Sequence, residues 1–159
     1  HHQMGDAFVI PEAKVHKNTM YVPGTDGEKM SKSKDNLINI FLPEKALRKQ
    51  IMQIETDSTP LEDPKDPDTD TVFKLYSLLA SDSEISEMRS KYLAGNYGYG
   101  HAKQALFETL ITRFEKARSS FDHYMANKDE LDAVLAKGAE KASLVADEVL
   151  ARVRNLLGY

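Results

Sequence analysis

Two lysines three residues apart, Lys29 and Lys32, with a serine between them and another after, form the run in this chain best suited to chemistry. The run Lys29-Met30-Ser31-Lys32-Ser33 lies within Gly27–Asn36, just downstream of the turn signal Pro23-Gly24-Thr25-Asp26-Gly27. Two ammonium groups with hydroxyls and loop amides beside them make a cationic loop that can fold over a polyphosphate. Where negative charge builds on phosphate oxygens in a transition state, ammonium groups aimed there stabilise that state more than the ground state. Gly24 and Gly27 on the approach are placed to let such a loop swing between open and closed positions and exclude water. The plainer alternative is that Lys29, Lys32 and Lys34 are solvated surface lysines.

Elements on both sides must position that loop. Upstream, Ala7-Phe8-Val9-Ile10 and Thr19-Met20-Tyr21-Val22 read as short strands bounded by Pro11 and Pro23. Two lone strands cannot form a stable sheet, so they need partners that these residues do not supply. Downstream, Leu37–Leu42 leads to Pro43 at the first turn of a helix, and Leu47, Ile51 and Ile54 recur at helical spacing over 43–54. Residues 55–70 are polar, with prolines at 60, 64 and 67, and read as a connecting loop. Val72, Leu75, Tyr76 and Leu79 mark a short helix capped near Thr69 or Asp70. Ser81-Asp82-Ser83-Glu84 offers a capping box for a helix reaching Leu93, which Gly95–Gly100 breaks. One long helix is then expected to Met125, burying Leu106, Leu110, Phe114, Ala117, Phe121 and Tyr124. Asn127 with Glu130 restarts a helix with core positions at Leu131, Val134, Leu135, Val145, Val149, Val153 and Leu156. Gly158 is its C-cap, and Gly138 is expected to bend or break it. The fold class is mainly α, a helical bundle with a short N-terminal arm.

Bulk composition narrows the function. An apolar share of 41% in 159 residues fits a packed helical core. No apolar run approaches the ~20 residues needed to span a bilayer, and the first residues lack a basic-then-apolar leader pattern. The absence of cysteine excludes disulfides and thiolate zinc sites and agrees with a cytoplasmic location. The dispersed histidines, His1-His2 and His101 among them, lack ligand spacing, so no structural metal is expected. A net charge of -4 argues against a generic nucleic-acid coat, but the charge is uneven. Residues 1–50 hold eight Lys/Arg against six Asp/Glu, and residues 55–70 hold seven acids against Lys65 alone. Any nucleic-acid contact must therefore be local.

The five-residue run resembles the second signature loop of class I aminoacyl-tRNA synthetases. The flanks narrow the resemblance to the bacterial tryptophanyl-tRNA synthetases: Val22–Gly27 before the loop, Asp35-Asn36 and Ile40-Phe41 after it, Thr56-Asp57-Ser58, Pro60–Asp66, and Tyr97–Gly100 leading into Lys103 and Leu106. The ending also matches, in Gly138–Ala142, Leu150, Val153, Arg154 and Leu157-Gly158. The resemblance implies that Lys29, Met30, Ser31, Lys32 and Ser33 bind ATP, with Lys32 and Lys29 catalytic. It implies a loop-backbone contact to adenine at Met30, and, counted nine residues before the first lysine without gaps, an adenine neighbour at Met20, whose alternative is a strand-core role. Lys34 stands where the family usually has Tyr or Asp.

The same resemblance implies residues 1–42 as the end of a catalytic domain and 43–159 as a helical domain that contacts the tRNA anticodon. The family's His-Ile-Gly-His-type turn and its tryptophan pocket do not occur in these residues, so the chain reads as a C-terminal piece, inactive alone. His1-His2 matches the family's own run or a tag remnant. The whole protein would be a cytoplasmic, homodimeric tryptophan–tRNA ligase using ATP and Mg²⁺, with tryptophan and tRNA(Trp) as its other partners and no membrane. Two rivals stand beside it. One is a tyrosyl-tRNA synthetase fragment, although that family generally adds an RNA-binding module after the helices. The other is a non-catalytic helical RNA-binding module with a relic loop. Elsewhere the residues favour structural roles. Gly95–Gly100 follows a helix and lacks a GK[ST] ending, so it is a breaker before it is a phosphate cradle. Tyr97 and Tyr99 are expected to pack before they stack on a base. Arg113, Lys116 and Arg118 are expected on a solvated face before an RNA-facing one.

Overall fold

The first three helices each start at a local signal. The computed structural model describes residues 7–15 and 20–158. Pro43 is the N-cap of α1 (Glu44–Met52), one residue outside the expected position, and its carbonyl accepts from Ala46 and Leu47. Asp70 caps α2 (Thr71–Ser77), its Oδ1 accepting the Phe73 N–H at 2.7 Å. Ser81 and Glu84 form a complete capping box on α3 (Asp82–Ala94), which satisfies two N–H groups that the first turn leaves without partners. Gly95 ends α3 with φ at +75°, and a Cβ there would stand 2.3 Å from the Glu62 carbonyl oxygen, so only glycine fits. α4 (Tyr99–Arg113), α5 (Glu115–Ala126) and α6 (Lys128–Leu157) complete the chain, and α6 closes on Gly158 in the left-handed region.

The described chain divides into two compact units, one of His16–Ser120 and the other of His1–Val15 with Phe121–Tyr159. In the first, α1 and α2 both pack on α4. Leu47, Ile51, Ile54, Val72, Tyr92, Ala102 and Leu106 are almost wholly shielded there. Each large aliphatic among them is worth about 1.5–3 kcal/mol in removal from water. Tyr92 stands edge-on to Phe73 at 5.4 Å between centroids and also meets Tyr97 and Tyr99, so both glycine-flanked tyrosines pack as expected. In the second unit Arg152 Nε donates to the Ala7 carbonyl at 3.0 Å.

Several expectations are corrected. Ala7–Ile10 is not a strand, and among the described residues the only ladder contact is an isolated bridge between Pro23 and Lys29. A lone extended segment gains nothing without an edge to pair with. Of the second expected strand, Thr19 lies outside the described residues, and Met20–Val22 is irregular. His1-His2 also lies outside them. The long helix toward Met125 is divided at Phe114, whose backbone leaves helical geometry (φ -104°, ψ 12°) while its ring packs on the core. Ala117 and Phe121 beyond that point are exposed. Gly138 lies inside an unbroken α6, with no neighbour in reach of a Cβ. The α6 positions expected in a core are not buried: Val134, Leu135, Val145 and Leu156 are exposed, and Leu131, Val149 and Val153 are only partly covered. Helical period marks an apolar face and does not say what covers it.

Candidate functional site

The lysine loop is a hairpin-like excursion pinned at its neck. Gly24 N–H donates to Glu28 O at 2.7 Å, Met30 N–H to Val22 O at 2.9 Å, and the bridge Pro23–Lys29 lies between them. Asp26 Oδ1 closes the turn by accepting from Glu28 N at 3.0 Å. Thr25 then ties the neck to the helices, donating to Asn36 O at 3.0 Å and accepting from Glu55 N at 2.8 Å.

At the tip, Lys32–Lys34 forms one 3-10 turn entered from extended Ser31 and left through Asp35 at φ +54°. Ser31 and Ser33 share a hydroxyl–hydroxyl hydrogen bond of 2.8 Å. The Lys29 and Lys32 side chains are exposed, and among the described residues no carboxylate pairs with either ammonium group. Lys34 differs: its ammonium lies 3.8 Å from Glu28 Oε2, in an exposed pair of little energetic weight. Two cations on one loop, Lys29 at its neck and Lys32 on its tip turn, neither paired with a carboxylate among the described residues, suit an incoming polyanion.

The other predicted residues are placed as follows. Met30 takes its backbone N–H into the neck and is one of the residues lining an apolar cavity of about 190 Å³, with Val22, Ile38, Ile40, Leu79 and Leu110. Met20 is on the surface, 67% exposed, and is not among that lining. Lys29 to Ser33 thus lie together on one loop, and Met20 lies on the surface two residues before Val22, the neck partner of Met30. Arg118 donates its guanidinium to the Ile40 carbonyl and so braces the segment after the loop.

Two residues have roles that spacing did not announce. Gly24 is a close-approach point, since a Cβ there would fall 2.4 Å from Asn36 Cγ. Asn36, 2% exposed, is the largest polar side chain almost fully buried near the loop. Its Oδ1 accepts the Ser31 N–H at 2.8 Å, and its Nδ2 donates to Asp26 Oδ1 at 2.7 Å and to Lys29 O at 3.2 Å. The hydrogen bond from Asn36 holds the Asp26 carboxyl below its ordinary range, against a smaller opposing effect of desolvation. The only sequence signal for this was an asparagine following the loop after an aspartate.

Three comparisons bear on the site. A family model described as "tRNA synthetases class I (W and Y)" matches residues 2–115. The chain is 45% identical over 158 residues to a tryptophan–tRNA ligase of Rhodopirellula baltica, covering 99% of this chain and 49% of that protein. It is 42% identical over 151 residues to the tryptophan–tRNA ligase of Fusobacterium nucleatum, covering 95% of this chain and 46% of that one. Among solved structures, the tryptophanyl-tRNA synthetase of Campylobacter jejuni complexed with ADP and tryptophan superposes with a TM-score of 0.84 at 40% identity, over 99% of this chain and 50% of that one. The chain thus spans about half the length of the relatives it matches.

Proposed function

The chain belongs to the class I tRNA synthetases of the tryptophan and tyrosine group, and on that premise we propose that it is the ATP-loop and helical part of a tryptophan–tRNA ligase. The observation that carries this reading is the pair of exposed ammonium groups of Lys29 and Lys32, without a carboxylate partner among the described residues, on a loop pinned at its neck. Relatives of 40–45% identity over nearly the whole chain, all named for tryptophan, favour that amino acid over tyrosine.

In the proposed reaction a tryptophan carboxylate oxygen bonds to the α-phosphorus of ATP, and the bond from that phosphorus to the bridging oxygen breaks. Pyrophosphate leaves with the electron pair, and a terminal hydroxyl of tRNA(Trp) then takes the aminoacyl group and releases AMP. Negative charge grows on the bridging and pyrophosphate oxygens. Lys32, with Lys29 beside it, meets that charge, while the Ser31 and Ser33 hydroxyls and tip amides donate hydrogen bonds to the phosphates. Mg²⁺ brought by the ATP phosphates would add to the same neutralisation. This chain's own contribution to neutralising the phosphate charge is its lysines.

On the same reading residues 1–42 close the catalytic domain and 43–159 form the tRNA-contacting helical domain of a cytoplasmic homodimer. Among the described residues no helix is long and apolar enough to cross a membrane. The test is amino-acid-dependent ATP–pyrophosphate exchange by the full-length protein. Exchange supported by tryptophan and not by tyrosine is expected. Exchange with tyrosine would overturn the substrate, and tRNA binding indifferent to ATP without exchange would favour a non-catalytic RNA-binding module.

A further inference from the structure

We propose that Asn36 is a positioning residue for this reaction, setting the geometry from which Lys32 meets the phosphates. The inference rests on the loop reading above and adds a residue that touches no substrate. Asn36 lies C-terminal to the tip, yet its amide spans the loop. Its oxygen holds Ser31 N–H just before the 3-10 turn, and its nitrogen holds Lys29 O on the incoming side and Asp26 at the neck. Backbone atoms at positions 29 and 31 are thereby fixed to one buried side chain, and Lys32 begins its turn directly after the second of them. Gly24 beneath is tight enough to exclude a Cβ, so the amide has little room to take another position.

The chemistry of the amide is specific. Each end of the side chain is used, oxygen as acceptor and nitrogen as two-fold donor, so neither aspartate nor leucine can replace it. A carboxylate at 36 would keep the bond to Ser31, lose both donated bonds and face Asp26. An amide at position 26 opposite a carboxylate at position 36 would restore a donor between the two in reversed order, at the cost of the bond from Glu28 N–H, which shares Asp26 Oδ1 with Asn36. A purely structural asparagine, buried because it is satisfied, would change stability without any particular link to Lys32. A positioning asparagine acts through that lysine. Removing it should then matter only while Lys32 is present.

The experiment uses the full-length protein, with Asn36→Ala, Asn36→Asp, Asp26→Asn/Asn36→Asp and Asn36→Ala/Lys32→Ala beside wild type. Melting temperature and the rate of tryptic cleavage after Lys29 and Lys32 are measured first. Tryptophan-dependent pyrophosphate exchange follows. We expect faster cleavage at these two lysines in both single Asn36 variants. We also expect a turnover loss of about tenfold or more with a smaller change in KM for ATP, partial recovery of both readouts in the exchanged pair, and no further loss when Asn36→Ala is added to Lys32→Ala. Additive losses in the last pair, or unchanged cleavage in Asn36→Ala and Asn36→Asp, would overturn the proposal. If wild type shows no tryptophan-dependent exchange, the ligase reading fails, and the positioning role proposed for Asn36 in that reaction fails with it. The cleavage rates then decide separately whether Asn36 holds the loop.

Discussion

The phenol of Tyr92 donates to Asp70 Oδ1 at 2.9 Å, and that same oxygen accepts the Phe73 N–H that opens α2. One buried carboxylate oxygen thus joins α2 to α3. Desolvation raises the Asp70 carboxyl above its ordinary value of 3.8, outweighing the hydrogen bonds that lower it, and pushes the Tyr92 phenol far up. With a raised value in the fold, the native state binds the extra proton, so the Asp70 contribution falls as pH rises from the ordinary value through the raised one. Asp70→Asn keeps an oxygen for both donors and removes that slope. Thermal unfolding of the two proteins from pH 3.5 to 7 should show the asparagine variant gaining on wild type as pH rises. Asp70→Ala should instead lose about 1 kcal/mol for the cap and about 1–3 kcal/mol for the stranded phenol.

Lys65 is 3% exposed, and its ammonium donates to the carbonyls of Pro60, Leu61 and Asp63 at 2.8, 3.3 and 3.1 Å. It also stands 5.4 Å from the centre of the Tyr99 ring. The lone cation of the acidic loop is thus the post around which that loop is wound. Lys65→Met preserves much of the apolar stem but leaves three carbonyls without a donor. A loss of about 2–3 kcal/mol is expected in urea unfolding. A loss below about 0.5 kcal/mol would mean that water replaces the ammonium at little cost.

What could be read in advance divides by range. The Ser81–Glu84 box and the Asp70 cap were legible because each is settled within four residues. The breaker at Gly95 was legible too, although its close partner at Glu62 was not. The division at Phe114 was hidden, because the periodicity of Leu106, Leu110, Phe114 and Phe121 runs straight through it and tertiary packing decides otherwise. At the site, charge and spacing marked Lys29 and Lys32. Asn36 stayed unmarked because its bonds exist only once residues 26 to 36 have closed on one another.

Two glycines should answer alanine with opposite signs. In Gly138→Ala the new methyl meets nothing within 4 Å on an exposed helix, so a gain of about 0.5–1 kcal/mol is expected from helix propensity alone. In Gly24→Ala the methyl is driven into Asn36 at 2.4 Å, and overpacking should cost about 1–3 kcal/mol. Chemical denaturation of both variants checks the pair. A destabilised Gly138→Ala would show that α6 needs a bend or a close neighbour at that position.

The loop lysines should separate by kinetics. Lys32→Ala in the full-length protein is expected to slow tryptophan-dependent exchange about 10²–10³-fold, the range for removing one donor aimed at developing charge. KM for ATP should move far less if Lys32, as proposed, meets charge that is greatest in the transition state. Lys32→Arg should recover only part of the rate, since a planar fork on a longer stem does not put its charge where an ammonium did. Lys34→Ala, whose ammonium already faces Glu28, should stay within about twofold of wild type, as exposed pairs of this kind carry little energy. If Lys34→Ala costs as much as Lys32→Ala, and added salt erases both effects, the loop acts as a diffuse positive field, and the assignment of individual roles to its lysines fails.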